Sequence, residues 1–246
     1  MDSLTPAPGW ITSLPIAHRG YHDMSEGRPE NSLGAFHAAM EAGFAIECDL
    51  QGTKTGEPVV FHDPVLGRMT GREGKVKDYT LAELAKFKLI HINDGIHSLR
   101  EHLDLVEGKV PLVLECKAQQ DREIPFLEGV AKALDGYDGQ VCVMSFNHKI
   151  CSYFKQILPN VPRGLTAEGG DEDYEKHLTA MKLYDLQFVS YHVTELPNRF
   201  CKDIHDVGLP VISWTVRDEA ARETTAKYAD QMTFEGFDPR ELRDGG

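Results

Sequence analysis

The sequence lacks the features that insert a protein into a membrane or staple a small secreted fold. No run approaches the roughly 18 apolar residues of a membrane span, and the N-terminal segment has no basic stretch followed by an apolar one, as a secretory signal would. The five cysteines are widely spaced and form no Cys-x-x-Cys pair, which argues against a zinc or redox motif. We therefore expect reduced, buried thiols in a cytoplasmic protein.

The chain is also poor in positive charge. It has 26 Lys and Arg against 39 Asp and Glu, a formal net charge of −13 over 246 residues. Binding of DNA or RNA through counterion release needs clustered Lys and Arg, and so does stable contact with an anionic bilayer. We therefore expect no nucleic acid and no stable membrane association among its partners. An anionic substrate would need a locally positive site within this negative field.

Nucleotide-binding signatures are missing as well, since no Gly-x-Gly-x-x-Gly follows the first predicted strand and no Walker sequence occurs. Short β-rich runs instead alternate with helical patterns, which is typical of a parallel α/β fold. A closed (β/α)₈ barrel and an open doubly wound sheet both fit this length. The predicted strands are Leu14–His18, Phe44–Leu50, Pro58–His62, Pro111–Cys116, Gln140–Ser145, Pro162–Thr166, Leu186–Tyr191, Pro210–Val216 and Gln231–Phe234. The predicted helices are Asn31–Ala42, Thr80–Phe87, Ser98–Val106, Arg122–Leu134, Lys149–Leu158, Asp171–Leu183, Asn198–Asp206 and Asp218–Tyr228.

The third predicted strand breaks the parallel pattern. Its connection to the second strand, residues 52–57, is about six residues long, and a parallel crossover needs roughly ten or more. We therefore expect these two strands to run antiparallel or to form a distorted corner. The longest gap between strands, residues 63–110, predicts a short insertion with a loop and two helices over one barrel mouth. No linker divides the chain, so we expect residues 1–246 to form a single domain.

Charged residues stand where the strands of a parallel fold are usually apolar. Glu47 with Asp49, and Glu115 with Lys117, are pairs two residues apart, and such residues share a strand face. In a barrel the inward faces converge at the carboxyl ends of the strands. The charged and titratable side chains expected to meet there are His18, Arg19, Glu47, Asp49, His62, Glu115 and Lys117.

The three carboxylates predict a metal site. Buried together, Glu47, Asp49 and Glu115 repel one another, and a divalent cation relieves that repulsion. Oxygen ligands favour Mg²⁺ or Ca²⁺ over zinc, so we expect one cation of that kind. Arg19 and Lys117 would complete a positive floor that suits a phosphate group.

The two histidines predict proton transfer beside this floor. His18 and His62 could divide the work, one removing a proton from the nucleophile and the other protonating the leaving oxygen. Phosphodiester hydrolysis is the reaction class that uses all of these parts. Each feature has a simpler interpretation, namely a structural histidine, carboxylates on an exposed edge strand, or a salt bridge between Glu115 and Lys117. Those interpretations would have to hold on four strands at once.

Several segments spread over nearly the whole chain carry a family resemblance. They are HRG at His18–Gly20, PEN at Pro29–Asn31, SLGAFHAAMEAG at Ser32–Gly43, IECDLQGTKTGEPVVFHD at Ile46–Asp63, LECK at Leu114–Lys117, SF at Ser145–Phe146 and SWTV at Ser213–Val216. Together they resemble the glycerophosphodiester phosphodiesterase family. The resemblance implies a somewhat distorted (β/α)₈ TIM barrel with a short insertion after the third strand segment. It also implies metal binding by Glu47, Asp49 and Glu115, general acid and base roles for His18 and His62, and phosphate binding by Arg19 and Lys117.

The reaction implied by the resemblance splits a small glycerophosphodiester into glycerol 3-phosphate and an alcohol. A neighbouring glycerol hydroxyl attacks the phosphate, and water then opens the cyclic phosphate. In the family a Thr-Asp pair follows the last strand, and Phe234 and Glu235 replace it here. We expect this departure to affect pocket details and not the catalytic set.

Other residues are candidates for supporting or pocket roles. Asn31 and Glu30 either orient catalytic groups or cap the following helix. Phe146 and Trp214 either line the pocket or fill the core, and His192 ends a strand that could face the mouth. The remaining histidines are expected to be surface or structural, and they are His22, His37, His91, His97, His102, His148, His177 and His205.

Three alternative functions remain open at this point. The same fold and metal could serve a lysophospholipase D-like or sphingomyelinase D-like enzyme, which would need an apolar tunnel or a membrane-facing patch. The chain could be a non-catalytic phosphodiester sensor or carrier, or an unrelated metal-dependent barrel such as a sugar isomerase. A homo-oligomer is also left open.

Overall fold

The computed structural model describes residues 4–119 and 123–241, and these residues build a closed barrel. Eight parallel strands close because the first pairs with both the second and the last, which confirms the (β/α)₈ alternative and rules out an open sheet. A ninth strand, β3, pairs antiparallel with the end of β2, as the short connection predicts. The strands are β1 Ile16–Ala17, β2 Ala45–Gly52, β3 Pro58–Val60, β4 Leu112–Cys116, β5 Val141–Ser145, β6 Arg163–Ala167, β7 Phe188–His192, β8 Val211–Val216 and β9 Gln231–Phe234.

Helices alternate with these strands on the outside of the barrel. Most begin at a polar N-cap, and the predicted capping box of Thr80 and Glu83 is present at one of the short helices. The helices are α1 Leu33–Ala42, α2 Gly67–Thr70, α3 Leu81–Leu84, α4 Leu99–Val106, α5 Glu123–Leu134, α6 His148–Ile157, α7 Tyr174–Tyr184, α8 Arg199–Asp206 and α9 Glu219–Tyr228. Among the described residues, none of these helices is long and apolar enough to cross a membrane.

Several element boundaries differ from those predicted from the sequence. Strand β1 keeps only two of its five predicted residues, because the chain turns away at Arg19 with a φ of +56°. Helix α1 begins at Leu33 since Ser32, and not Asn31, is its N-cap. The predicted start of α7 at Asp171 is a separate 3₁₀ turn. Arg122, the predicted first residue of α5, lies outside the described residues.

Two layers of apolar side chains hold the barrel together. Ile46, Cys48 and Leu50 of β2 point outward and pack under the helices, in the cluster that contains Phe36 and Phe126. The opposite face of β2 begins with Ala45, which packs in a separate buried cluster with residues of β1, β4, β5, β7 and β8. The alternation of strand side chains then puts Glu47 and Asp49 on the same face as Ala45, nearer the carboxyl end. All five cysteines are buried and free, as expected.

The insertion lies between β3 and α4. It contains α2 and α3 and has a small core of its own, which includes Leu66, Met69, Val76 and Leu84. Helix α4 instead packs against α1 and α5 in the helical layer of the barrel. The insertion is therefore shorter than the predicted 63–110, because the second of its two predicted helices belongs to the barrel.

Candidate active site

A polar cleft of about 320 Å³ opens at the carboxyl ends of the barrel strands. This is the end at which parallel barrels present side chains from several strands to one ligand. Asp49 lies directly beneath the cleft and contacts the residues that line it. The lining includes six of the seven charged residues expected to converge, which are His18, Arg19, Glu47, His62, Glu115 and Lys117.

The first side of the cleft is a tight turn at the end of β1. Arg19 adopts the left-handed region at φ +56°, and Gly20 follows at φ +78°. A Cβ on Gly20 would lie 2.9 Å from the backbone and side chain of Ala35, so only glycine fits there. The turn aims the Arg19 backbone N–H at Glu47 Oε2, to which it donates a 3.0 Å hydrogen bond. It also projects the neighbouring His18 side chain into the cleft.

The three acidic residues predicted as metal ligands form one cluster. Glu47, Asp49 and Glu115 are all buried, and each offers an oxygen within 4.8 Å of the other two. The strand register explains this, because Asp49 of β2 stands opposite Glu115 of β4 and Glu47 precedes Asp49 on the same face. Glu47 Oε1 is buried and has no hydrogen-bond partner in the described structure. A buried anionic oxygen without a donor is costly unless a cation faces it.

Two side-chain cations neutralise part of this cluster. Lys117 Nζ lies 2.8 Å from Asp49 Oδ1 and also contacts Glu115. Arg19 Nε lies 3.2 Å from Asp49 Oδ2, an ion pair whose angles do not make a hydrogen bond. Although burial opposes it, the charges of Lys117 and Arg19 hold the pKa of Asp49 well below its usual range. Burial and the charge of Asp49 raise the pKa of Glu47.

These residues fit a hard divalent cation. The cluster offers only carboxylate oxygens, which Mg²⁺ and Ca²⁺ prefer. The unpartnered Glu47 oxygen is available to coordinate such a cation. Arg19 and Lys117 do not balance the charge of the three carboxylates, and Arg19 also pairs with Glu30 at 2.9 Å. The excess of negative charge favours an added cation over a purely structural ion-pair network.

His18 is held by a carboxylate from the neighbouring strand across the barrel seam, at the same end of the barrel. Its Nδ1–H donates to Glu235 Oε2 at 2.5 Å, and Arg217 Nε donates to the other oxygen of Glu235 at 2.6 Å. Burial lowers the pKa of His18, and the bond to Glu235 offsets part of that effect. With Nδ1 protonated, the neutral ring carries its lone pair on Nε2. That atom lies 3.9 Å from Glu47 Oε2.

Glu235 was treated from the sequence as a pocket change that leaves the catalytic set alone. The structure corrects this, because Glu235 is a direct partner of His18. The available signal was a carboxylate immediately after the buried end of β9, at the same barrel mouth as the other charged strand ends.

His62 has a comparable arrangement on the other side of the cleft. Its Nδ1–H donates to Asp63 Oδ1 at 2.7 Å, and Arg68 Nε donates to Asp63 Oδ2 at 2.7 Å. Arg68, which comes from α2 of the insertion, also bonds Glu30, and Glu30 accepts from Arg19 at 2.9 Å. This chain of charges ties the insertion to both His62 and Arg19. Sequence reasoning did not single out Asp63 or Arg68.

Asn31 positions Asp49 and caps no helix. Its Nδ2 donates to Asp49 Oδ2 at 2.9 Å, and its Oδ1 accepts from the Asp49 backbone N–H at 3.3 Å. Asn31 has a φ of +59°, a region that asparagine enters at lower cost than other residues with a Cβ. The PEN segment thus combines a backbone requirement with a buried hydrogen-bonding one.

An aromatic wall bounds the far side of the cleft. Trp214 makes edge contacts with Phe146 at 5.5 Å and with His192 at 4.7 Å between ring centroids. Its Nε1–H donates to the Ser190 carbonyl at 3.0 Å, which fixes the indole. All three of the predicted pocket residues therefore line the mouth.

Comparisons with known proteins place this geometry in a family. The model of the glycerophosphoryl diester phosphodiesterase family matches residues 18–237, which span the cleft residues from His18 to Glu235. The chain belongs to this family. A glycerophosphodiester phosphodiesterase of Caldanaerobacter subterraneus subsp. tengcongensis is 33% identical over 216 residues, covering 84% of this chain and 86% of the relative.

Solved structures agree with this family assignment. A phosphodiesterase of Oleispira antarctica, in complex with the product sn-glycerol-3-phosphate, has a TM-score of 0.81 at 25% identity and covers 92% of this chain and 94% of its own. A glycerophosphodiester phosphodiesterase of Parabacteroides distasonis shares the fold, with a TM-score of 0.76 at 22% identity and coverage of 90% and 92%. The family resemblance inferred from the sequence motifs is confirmed.

Proposed function

We propose that the protein hydrolyses small glycerophosphodiesters to glycerol 3-phosphate and an alcohol. The observation that carries the proposal is one cleft in which two histidines, each with Nδ1 held by a carboxylate, flank three clustered carboxylates and two cationic side chains. Family membership supports the reaction class. The product bound to the Oleispira antarctica relative supports the glycerol phosphate half of the substrate.

We propose that Glu47, Asp49 and Glu115 hold one divalent cation, Mg²⁺ or Ca²⁺. When bound, such a cation polarises a phosphoryl oxygen and offsets the negative charge that develops in the transition state. The protein side of the site is already shaped for it, because the register of β2 and β4 sets the three carboxylates side by side.

His18 and His62 exchange proton-transfer roles in the proposed reaction. One removes the proton of the glycerol hydroxyl next to the phosphate, and that oxygen attacks phosphorus. The other protonates the leaving alcohol oxygen as its bond to phosphorus breaks. In the second half, the histidine that protonated the leaving alcohol removes a proton from water, and the water oxygen attacks phosphorus. The other histidine then protonates the glycerol oxygen as its ring bond to phosphorus breaks. Glu235 and Asp63 orient the two rings so that each Nε2 can carry or accept the proton.

Arg19 and Lys117 bind the phosphate in this proposal. Both face the cleft beside the carboxylate cluster, and both are held in place by Asp49. An anion entering the cleft therefore meets positive charge inside a protein whose formal net charge is −13. Phe146, Trp214 and His192 would contact the organic part of the substrate.

The test is release of glycerol 3-phosphate from glycerophosphocholine or glycerophosphoethanolamine with Mg²⁺ or Ca²⁺ added. We expect His18→Ala and His62→Ala each to lower turnover by about 10²–10⁴-fold while the fold, followed by circular dichroism, is retained. Absence of release from every diester tested, with metal present, would overturn the proposal. Faster cleavage of lysophosphatidylcholine than of glycerophosphocholine would move the substrate to lysophospholipids.

A further inference from the structure

Arg68 of the insertion connects two parts of the active site through one side chain. Its Nε and Nη2 donate to both oxygens of Asp63, at 2.7 Å and 3.2 Å. Its Nη1 and Nη2 donate to both oxygens of Glu30, at 2.9 Å and 2.6 Å. Arg68 itself does not line the cleft, so its link to the reaction runs through these two carboxylates.

The nitrogen Nη2, which donates to both carboxylates, makes this link continuous. Asp63 Oδ1 accepts from Nη2 and also from His62 Nδ1–H, at 2.7 Å. Glu30 Oε1 accepts from Nη2 and also from Arg19 Nη1, at 2.9 Å. One chain of hydrogen bonds therefore runs from His62, which is proposed to transfer protons, to Arg19, which is proposed to bind the phosphate. Arg68 stands at its centre.

The insertion has other contacts that hold it in place. Met69, the next residue of α2, is buried in the insertion core with Leu66 and Val76. The Arg68 side chain is 45% exposed, and ion pairs at such positions add little to the free energy of unfolding. Its planar guanidinium, which presents several donors in a fixed arrangement, is instead suited to holding two carboxylates in a defined geometry.

Both carboxylates are charged in this arrangement. Although burial opposes it, the hydrogen bonds from Arg68 and the charge of Arg19 hold the pKa of Glu30 below its usual value. Although burial opposes it, the hydrogen bonds from Arg68 and His62 lower the pKa of Asp63. Because both carboxylates accept from the same nitrogen, they lie close together, and without Arg68 they would repel each other. That repulsion would displace the partners of His62 and Arg19.

We propose that Arg68 is a positioning residue that acts on both the proton transfer and the phosphate binding. Through Asp63 it fixes the ring of His62. Through Glu30 it fixes the guanidinium of Arg19. The inference rests on the proposed diester hydrolysis, and it makes the insertion a contributor to both parts of that reaction.

Arg68→Met tests both effects with two separate measurements. We expect kcat on glycerophosphoethanolamine to fall by about tenfold, because the His62 ring loses its fixed orientation. Titration calorimetry with Mg²⁺ or Ca²⁺ present gives the Kd for glycerol 3-phosphate, which should rise by about threefold because Arg19 is no longer held. The control is Arg72→Met, which removes the same charge from an exposed position in the same insertion, where Arg72 stacks on Phe87. We expect the control to leave both values as they are.

Double variants test whether Arg68 acts through the two carboxylates. Arg68→Met/Asp63→Asn should have the kcat of the more impaired single variant, because both changes act on His62 by one route. Arg68→Met/Glu30→Gln should likewise have the Kd of the single variant that binds glycerol 3-phosphate more weakly. Losses that multiply in either pair would show that Arg68 acts independently of that carboxylate and would contradict the proposal.

Arg68→Lys distinguishes geometry from charge. It keeps the positive charge but replaces the planar guanidinium with a single ammonium group. We expect its kcat to stay at least about threefold below that of the wild type. A kcat and a Kd equal to those of the wild type would show that charge alone is sufficient, and the positioning role would be wrong.

The unfolding temperature separates positioning from a purely structural role. A fall in that temperature for Arg68→Met, with kcat and Kd unchanged, would make Arg68 a structural residue and overturn the proposal. Equal losses in Arg68→Met and Arg72→Met would show a general effect of charge and overturn it as well. If the wild type hydrolyses no diester, the proposed function fails. The Kd for glycerol 3-phosphate then decides, because an unchanged Kd in Arg68→Met would show that Arg68 does not act on Arg19.

Discussion

His18 and Glu235 meet at 2.5 Å between Nδ1 and Oε2, although 217 residues separate them in the chain. The contact crosses the seam where β1 pairs with β9 and the barrel closes. Arg217 holds the second oxygen of Glu235, so the carboxylate is fixed from two sides. Closure of the barrel therefore does more than complete the sheet, since it supplies the group that orients one of the two histidines.

Replacing Glu235 should impair turnover more than substrate binding. Glu235→Gln keeps the length of the side chain and removes the negative charge that favours a protonated Nδ1 on His18. We expect kcat to fall about 10–100-fold, as is common for groups that orient a functional histidine, with little change in KM. Steady-state kinetics on glycerophosphoethanolamine measure both parameters.

A matched change of charge controls that experiment. Glu223→Gln, on the exposed face of α9, should leave both parameters as they are. A Glu235→Gln enzyme with unchanged kcat, or with a loss confined to KM, would show that Glu235 does not act through His18.

Divalent metal should stabilise the protein as well as activate it. A cation that binds only the folded state raises the free energy of unfolding by about 2.7 kcal/mol at a concentration 100 times its Kd. We expect the unfolding temperature to rise when Mg²⁺ or Ca²⁺ is added after treatment with EDTA. Glu47→Gln should abolish most of that rise, because it removes the charge of a buried cluster oxygen that has no partner among the described residues.

The metal-free form of that variant gives an internal check. Glu47 is buried beside Asp49 and Glu115, and this burial and repulsion raise its pKa. Removing its charge should therefore leave the metal-free unfolding temperature unchanged or higher. An equal metal-dependent rise in wild type and variant would place the cation elsewhere.

Asn31 should contribute through both its backbone and its side chain. Asn31→Ala removes two hydrogen bonds to Asp49 and places a residue that disfavours positive φ at +59°. Asn31→Gly loses the same bonds and relieves the backbone cost, which is about 1–2 kcal/mol for a residue with a Cβ. We expect both variants to lose activity and the glycine variant to be the more stable by about 1 kcal/mol in urea denaturation. Equal stability of the two would mean that the backbone conformation carries no cost.

His102 should make stability depend on pH. Its ring is fully buried between α4 and Asn31, and burial lowers its pKa to about 4 from 6.5. Below pH 6.5, His102 is therefore protonated in the unfolded chain, whereas in the folded protein its ring stays neutral down to about pH 4. Stability is thus complete above pH 6.5 and falls as the pH drops, by about 2 kcal/mol between pH 7 and pH 5.

Urea denaturation at the two pH values measures this effect. His102→Gln should lose that part of the pH dependence, and His37→Gln, on the exposed side of α1, should retain it. A pH dependence in His102→Gln equal to that of the wild type would assign the effect to other groups.

The sequence by itself determined the parallel α/β class and most of the charged residues that converge on the cleft. Residues two positions apart in a strand, such as Glu47 and Asp49, lie on the same face of the sheet. Their shared face can be predicted from the sequence because it depends only on strand geometry. The short connection before β3 likewise excludes a parallel crossover, and the pair is antiparallel. These inferences succeed because the information is local, within a few residues of the chain.

Only the tertiary structure decided what depends on distant segments. The choice between a closed barrel and an open sheet was made by the pairing of β1 with β9. The Glu235 partner of His18, the Arg68 bridge to Glu30 and a groove lined by Glu168 and Glu195 each join segments far apart in the chain. No local pattern specifies them, since they arise where strand ends converge after the core has packed and the ring of strands has closed.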